Sequence, residues 1–137
     1  MHRVSGILET ALSVKDLAKS ADFYRRLFQF ETLLESERLV ALNVAGKQVL
    51  LLFLEGTTED SFTTPGGVIP GHGGHGRFHL AFSISADDAA GWKERLAAED
   101  IAVESVVNWP GNSQSIYFRD PDEHLVELMT PGFWSID

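Results

Sequence analysis

Apolar and polar residues alternate along two short segments of the chain that resemble each other closely. The segments cover residues 9–14 and 79–84, an offset of 70 positions, and they match in polarity and size at all but the first two places. Alternation of this kind is typical of a β-strand, because successive side chains point to opposite faces. One face of each copy is apolar, and the other carries Glu9 or His79 beside two small residues. The spacing predicts an internal repeat.

A stretch with helical spacing of apolar residues follows each strand. Asp16 is predicted to cap the first helix, which ends before Glu31. Ser85 and Asp88 are predicted to form a capping box for the second helix, which ends near Asp100. Three strand-like segments then follow each helix, at about 32–35, 38–44 and 48–54 in the first copy and at 102–107, 113–119 and 124–130 in the second. The pattern predicts two tandem βαβββ modules, an α+β fold.

A glycine-rich segment separates the two copies. Residues 65–76 contain six glycines and two prolines, a composition that predicts no regular structure. We expect a flexible connection between modules, and a loop that closes over a bound substrate is the alternative. His72 and His75 in this segment are expected to face solvent. The predicted organisation is a single domain over 1–137, with module one at 6–56, a linker at 57–76 and module two at 77–131.

Composition narrows the possible functions. The 137-residue chain is 44% hydrophobic, which is enough for one compact domain with a buried core. It has no cysteine, so disulfides and thiolate metal sites are excluded and a metal would need oxygen and imidazole ligands. The net charge of −9, with no cluster of Lys or Arg, argues against a nucleic-acid partner. No apolar run is long enough for a membrane helix or a signal peptide, which predicts a cytoplasmic protein.

Three stretches carry a resemblance to a known family. Residues 11–17, with Ser20, Phe23, Tyr24 and Leu27 after them, resemble the opening strand and helix of the vicinal-oxygen-chelate superfamily of glyoxalases, bleomycin-resistance proteins and dioxygenases. The closing stretch 117–128 is similar to the family's final hairpin, in which an Asp-Pro turn leads into a strand with a metal-binding Glu. The resemblance implies that the two modules form a curved, cup-shaped mixed sheet with the helices outside.

The resemblance also implies a set of metal ligands, because family ligands come from the first and last strands of each module. Glu9 matches the first-strand position, which is usually His or Gln. His79 matches its counterpart in module two, and Glu127 matches the last-strand carboxylate. Aligning residues 48–51 with 124–127 places Leu51 where a glyoxalase I would supply another Glu. The chain therefore resembles the branches of the family that use three protein ligands.

Read without the resemblance, each of these residues has an ordinary alternative. Glu127 lies among apolar neighbours, where an ionised carboxylate is costly unless a cation or several donors compensate it, yet it could also lie on a strand face open to solvent. His79 could be a hydrogen-bonded core histidine, although its place opposite Glu9 in the repeat favours a ligand. Glu9 could coordinate as a carboxylate or mark a chain that has lost its metal.

One imidazole and two carboxylates would suit one divalent ion. Their two formal negative charges balance such an ion before substrate arrives. The ligand types are compatible with Mn²⁺, Fe²⁺, Mg²⁺, Ni²⁺ and Zn²⁺, and they do not suit Cu(I). Open coordination positions would accept adjacent oxygens of a small substrate.

Tyr117 and Arg119 are candidate catalytic residues. They lie two positions apart on the predicted penultimate strand, so they share a face and could donate to a substrate oxygen, although they could equally face solvent. The ring-cleaving dioxygenase signature has Tyr at the position of Tyr117. That signature also expects Gly where Glu123 stands and a His where this chain has residues 108–110. Fosfomycin-resistance members carry Thr at the position of Ala11, which argues against that activity.

The function predicted from these residues is a divalent-metal-dependent enzyme acting on a small substrate with vicinal oxygens, by isomerase, lyase or dioxygenase chemistry. The alternative is a metal-free protein that sequesters a small molecule, as the bleomycin-resistance relatives do, with Trp92, Trp109 and Trp134 as stacking surfaces. Because relatives usually pair, sometimes exchanging modules, the resemblance also implies a homodimer.

Overall fold

The structure is a computed structural model that describes residues 1–137, and it divides into two compact units. The first unit runs from Met1 to Gly76 and the second from Arg77 to Asp137. Each unit holds one four-stranded mixed sheet. No helix is long and apolar enough to cross a membrane.

The first unit contains one βαβββ module. Its sheet has the strand order β1-β4-β3-β2, in which β1 runs parallel to β4 and the other pairs are antiparallel. Its elements are β1 (Glu9–Val14), α1 (Leu17–Phe28), β2 (Glu31–Glu35), β3 (Leu39–Val44) and β4 (Gln48–Leu54), followed by β5 (Phe62–Thr64) and β6 (Gly67–Ile69).

The second unit repeats the same topology. Its sheet has the order β7-β10-β9-β8, with β7 parallel to β10 and the remaining pairs antiparallel. The predicted repeat and the α+β class are therefore confirmed. Its elements are β7 (His79–Ser83), α2 (Ala89–Ala98), β8 (Ser105–Asn108), β9 (Gln114–Arg119) and β10 (Leu125–Met129).

Helix α1 begins and ends where its sequence directs. The Asp16 side chain accepts a hydrogen bond from the Lys19 N–H at 3.0 Å, which confirms the predicted cap. The helix ends at Gln29, which adopts the left-handed conformation with φ 59°. Tyr24 and Leu27 are fully buried on the face that packs against the sheet. The opposite face of the sheet is thereby left free of the helix.

The predicted start of the second helix was wrong in detail. Ser85 makes no side-chain capping bond, and a 3₁₀ turn over Ala86–Asp88 precedes α2. In the tighter turn Asp88 bonds through its own N–H to the Ser85 carbonyl, at 3.2 Å, so the two residues do not adopt the reciprocal geometry of a capping box. The following strand, β8, also begins at Ser105, three residues later than predicted.

The glycine-rich segment contains more regular structure than its composition predicts. Strands β5 and β6 pair across a tight turn at Pro65 and Gly66, so the prediction of no regular structure was wrong. Proline and glycine favour such a turn, because one fixes φ and the other accepts unusual backbone angles. Thr58 anchors the end of this segment. Its carbonyl accepts hydrogen bonds from the backbone N–H groups of His72 and Gly73, and the Thr58 hydroxyl donates to the Gly73 carbonyl at 3.0 Å.

Candidate metal centre and active site

One face of the second sheet collects the residues that could do chemistry. Strand pairing sets Glu127 opposite Ala81 on β7 and opposite Tyr117 on β9, and it sets His79 opposite Leu125. Paired residues on neighbouring strands project to the same side of a sheet. His79, Glu127 and Tyr117 therefore share a face. The other face carries the buried apolar side chains of the unit, among them Ile116, Phe118, Val126 and Leu128.

His79 and Glu127 form a close pair on this face. The His79 Nε2 lies 3.2 Å from the Glu127 Oε1, with the carboxylate buried and about half of the imidazole exposed. The His79 Nδ1 donates to the Leu125 carbonyl at 2.9 Å, because a carbonyl oxygen can only accept. A backbone carbonyl that fixes one ring nitrogen is the usual partner of a metal-ligating histidine.

This pair fits a divalent metal ion. With Nδ1 carrying the proton, the neutral imidazole turns the lone pair of Nε2 towards a carboxylate oxygen, so two acceptors face one another. Such an arrangement is favourable only if a cation or a proton lies between them. A nitrogen and a carboxylate oxygen are also ligands that borderline divalent ions accept.

Two residues that the sequence analysis did not select hold the Glu127 carboxylate. The Ser115 hydroxyl donates to the Glu127 Oε2 at 2.5 Å, and the Trp109 Nε1–H donates to the Ser115 Oγ at 2.8 Å. Ser115 is fully buried. Its position two residues before Tyr117, on the same strand face, is a signal that could have identified it.

Tyr117 lies beside the pair and keeps its proton. Its ring centroid is 6.4 Å from that of His79. Burial raises the pKa of the Tyr117 hydroxyl above its ordinary value, the nearby Ser115 hydroxyl acts in the opposite direction, and the negative charge of Glu127 raises the pKa further. Because an ordinary tyrosine already titrates near pH 10, Tyr117 is a hydrogen-bond donor at neutral pH.

Arg119, the second candidate catalytic residue, is held by other groups. Its Nη2 lies 3.1 Å from a Glu104 carboxylate oxygen, and its Nη1 donates to the Glu123 carbonyl at 3.0 Å. These contacts direct the Arg119 guanidinium towards Glu104 and Glu123, whereas the Tyr117 ring lies beside His79. The geometry therefore favours Tyr117 for contact with a substrate oxygen.

The first unit carries one of the three predicted metal ligands, and the second unit carries the other two. Glu9 is exposed at the start of β1. Strand pairing sets Ala11 opposite Leu51, just as it sets Ala81 opposite Glu127. Leu51 therefore occupies the structural equivalent of the Glu127 position, as the sequence alignment expected. No group of three or more His, Asp or Glu side chains suited to a metal is gathered in the structure.

Comparison with known proteins identifies the family. The family model described as the glyoxalase/bleomycin resistance protein/dioxygenase superfamily matches residues 6–128, so the chain belongs to this superfamily. Among curated relatives, the metallothiol transferase FosB of Bacillus licheniformis is 30% identical over 94% of this chain and 77% of its own length. The fosfomycin resistance protein FosX of Listeria monocytogenes is 27% identical over 91% of this chain and 89% of its own length.

Solved structures agree with this assignment. A structure described as lactoylglutathione lyase from Agrobacterium tumefaciens is 34% identical, with a TM-score of 0.89, and the match covers 98% of this chain and 100% of that one. A structure of FosX from Listeria monocytogenes, 23% identical with a TM-score of 0.71, covers 96% of this chain and 97% of its own and shows the same fold.

The expected class is confirmed by these comparisons. The chain is a divalent-metal-dependent enzyme of the superfamily that acts on a small molecule, and its cofactor is one divalent ion whose identity stays open. One FosX structure is described as a complex with Mn(II) and sulfate.

Proposed function

We propose that this enzyme binds one divalent ion through Glu9, His79 and Glu127 and promotes the attack of a thiol or water on a small electrophile with adjacent oxygens. The observation that carries this proposal is Leu51. Strand pairing makes it the counterpart of Glu127, so the first unit lacks the carboxylate that a glyoxalase I would supply. A three-ligand site leaves more positions open for two substrate oxygens than a four-ligand site does.

Two relatives suggest different reactions, and the ligand positions favour one. The metallothiol transferase FosB is named for a transfer reaction, whereas the Agrobacterium protein is described as a lyase. The overall sequence similarity of the chain to these two relatives does not distinguish between a transferase and a lyase reaction. The apolar Leu51 argues for the transferase, and the absence of a histidine at residues 108–110 argues against ring cleavage.

The roles of the chain's own residues follow from the geometry. A bound ion would supply Lewis-acid polarisation of the substrate oxygens. His79 and Glu127 would hold it, and Tyr117, which stays protonated, would donate a hydrogen bond to a substrate oxygen. In the reaction the nucleophile forms a bond to carbon, a carbon–oxygen bond breaks, and the released oxygen keeps the electron pair and takes a proton.

Metal content is the first test. Protein purified without chelator should contain close to one divalent ion per chain by elemental analysis. The variants Glu127→Ala and His79→Ala should lose it, whereas Glu104→Ala, which removes a carboxylate bound to Arg119, should keep it. A wild-type protein without metal that nevertheless binds small molecules would overturn the proposal and favour sequestration.

A substrate panel tests the reaction. The Mn²⁺-loaded enzyme would be incubated with fosfomycin and a thiol, with the hemithioacetal of methylglyoxal and glutathione, and with catechol. Fosfomycin represents small electrophiles with neighbouring oxygens. It serves here as a model compound, because Ala11 replaces the Thr that fosfomycin-resistance members carry. A thiol or water adduct in the first reaction supports the proposal, and turnover confined to the hemithioacetal or catechol would overturn it.

A homodimer in the cytoplasm completes the proposal. Strands β1 and β7 each pair on one side only within their sheets, and the apolar side chains of Ile7, Leu8 and Phe78 beside them are exposed. Unpaired edges with apolar neighbours favour association with another chain. Light scattering coupled to gel filtration should give twice the chain mass, and a monomer would contradict this part.

Complementation distinguishes a site formed within one chain from a site formed by exchanged modules. Glu9→Ala and Glu127→Ala chains would be co-expressed and the mixed dimer isolated. If Glu9 comes from the other chain, the mixed dimer contains one intact ligand set and should bind one ion. If each site lies within one chain, every site lacks a ligand and binding should be lost.

A further inference from the structure

The two oxygens of the Glu127 carboxylate lie in different surroundings. Oε1 lies 3.2 Å from the His79 Nε2, whereas Oε2 accepts the Ser115 hydroxyl at 2.5 Å. The Glu127 side chain is only 9% exposed, so its carboxylate is largely shielded from water. The protein thus distinguishes the two atoms of a symmetric group.

The direction of this hydrogen-bond chain is fixed by chemistry. The Trp109 indole N–H can only donate, so the Ser115 Oγ accepts it at 2.8 Å. The single proton of the Ser115 hydroxyl is then committed to Glu127, because a carboxylate can only accept. The Trp109 ring is packed edge-on against Phe133, with ring centroids 4.7 Å apart. This contact restrains the indole from which the hydrogen-bond chain begins.

We propose that Ser115 and Trp109 are positioning residues that reserve Oε2, so that Glu127 offers only Oε1 to the metal ion. This inference rests on the ligand role of Glu127 in the proposed function. A carboxylate that binds through both oxygens occupies two coordination positions, whereas one restricted to a single oxygen occupies one. The position left free serves the second oxygen of a chelating substrate.

Four variants test the hydrogen-bond chain from Trp109 through Ser115 to Glu127, which we call the relay. Ser115→Ala removes the proton donor, Ser115→Thr keeps a hydroxyl, and Trp109→Phe keeps an aromatic ring without the N–H. The matched control is Ser113→Ala, because Ser113 is also buried but donates to the Thr130 carbonyl, away from Glu127. The readouts are Mn²⁺ affinity by calorimetry, the melting temperature of the metal-free protein, and the change in tryptophan fluorescence on adding Mn²⁺.

We expect Ser115→Ala to weaken Mn²⁺ binding by about 10- to 100-fold, the usual effect of removing a hydrogen-bond partner of a ligand. Ser115→Thr should restore most of this loss, and Trp109→Phe should lose affinity by a smaller factor. Ser113→Ala should lower the melting temperature without changing Mn²⁺ affinity. The fluorescence response to Mn²⁺ should shrink in Trp109→Phe, because that indole lies two hydrogen bonds from the metal-facing carboxylate.

The outcomes separate this inference from the proposed function. If wild type binds Mn²⁺ and Ser115→Ala binds it within about twofold, the relay is overturned and the function stands. If wild type binds no metal, the proposed function itself fails. If Ser115→Ala does not fold, Trp109→Phe decides, and wild-type affinity in that variant would overturn the relay.

A separate observation in the first unit concerns Arg38. Its guanidinium lies between two aromatic rings, 5.3 Å from the Phe53 centroid and 4.4 Å from the Phe62 centroid. Its Nε donates to the Thr57 carbonyl at 3.2 Å, and no carboxylate pairs with it in a chain of net charge −9. The Nη groups are thus held in place without an acidic partner.

Arg38 lies at one end of the face that carries Glu9. Strand pairing sets Phe53 opposite Ser13, which shares that face of β1. The His72 ring packs edge-on against Phe53 at 5.1 Å, so the glycine-rich segment covers the same end of the face. We infer that Arg38 binds an oxyanion, such as the phosphonate, phosphate or carboxylate group of a small ligand.

Phosphate and methylphosphonate are suitable probes, titrated into the metal-free protein and followed by NMR. Arg38→Ala should abolish saturable binding, and Arg38→Lys, which keeps the charge without the planar fork, should weaken it. Arg25→Ala is the control, because Arg25 already faces Glu35 at 3.6 Å and should bind the probes like wild type. Absence of binding to wild type, or equal binding by Arg38→Ala, would overturn the inference.

Discussion

His124 provides the most direct test of how the second unit is held together. It is fully buried directly before β10, and its Nδ1 accepts a hydrogen bond from the Phe78 backbone N–H at 2.9 Å. The bond ties the residue before β7 to the residue before β10, two strands that run in parallel. Because Phe78 directly precedes His79, the same bond also positions the His79–Glu127 pair.

The cost of removing this bond can be estimated from two variants. His124→Phe keeps a ring of similar size but removes the acceptor, and leaving a partly buried N–H unsatisfied costs about 1–2 kcal/mol. His124→Ala also leaves a cavity, and the two effects together should cost about 3–5 kcal/mol. Since 1 kcal/mol lowers the melting temperature of a domain of this size by about 2–6 °C, His124→Phe should melt about 2–12 °C below wild type.

Scanning calorimetry and urea unfolding of the metal-free protein would measure both effects. His75→Phe is the matched control, because His75 is exposed in the glycine-rich segment and its replacement should leave stability unchanged. Mn²⁺ affinity should also fall in His124→Phe and not in His75→Phe. A melting temperature for His124→Phe within about 1 °C of wild type would refute the reasoning.

Three smaller changes test local features of the fold by urea unfolding. Gly71→Ala should destabilise the protein by about 1–3 kcal/mol, because the added Cβ would lie 2.2 Å from the Glu59 carbonyl oxygen, and an unchanged stability would contradict that contact. Gly91→Ala, inside α2 with open space around it, should instead stabilise by about 0.5–1 kcal/mol, and a loss of stability would be unexpected. Asp16→Ala should cost about 1 kcal/mol through the lost bond to the Lys19 N–H, and an equal loss in Asp16→Asn would contradict a capping role.

The fold could be predicted well from the sequence because the chain contains two copies of the same βαβββ module. Alternation over residues 9–14 and 79–84 identified both first strands, and a separate match of residues 48–51 with 124–127 aligned both last strands. That alignment placed Leu51 against Glu127, and the observed strand registers confirm the equivalence. A repeat predicts which residues correspond even where single strand boundaries are several residues off.

The residues that position His79 and Glu127 through hydrogen bonds could not be predicted in the same way. Ser115 contacts Glu127 across twelve residues, and His124 contacts the Phe78 backbone across forty-six. Such bonds depend on strand pairing and on which face each side chain takes, and neither leaves a local pattern in the chain. The same limit applies to the start of α2, where the choice between a 3₁₀ turn and a capping box depends on the packing of the turn and not on Ser85 and Asp88 alone.

The two modules differ at one strand position in a way that suits the proposed reaction. At the position where β10 carries Glu127, β4 carries Leu51, and the relay of Ser115 and Trp109 supports only Glu127. A carboxylate at position 51 would raise the formal charge of the ligand set from −2 to −3 and occupy a coordination position. Leucine keeps the proposed site neutral with a divalent ion and leaves that coordination position to substrate oxygens. The difference between the two modules would thus allow the ion to bind protein and substrate ligands at the same time.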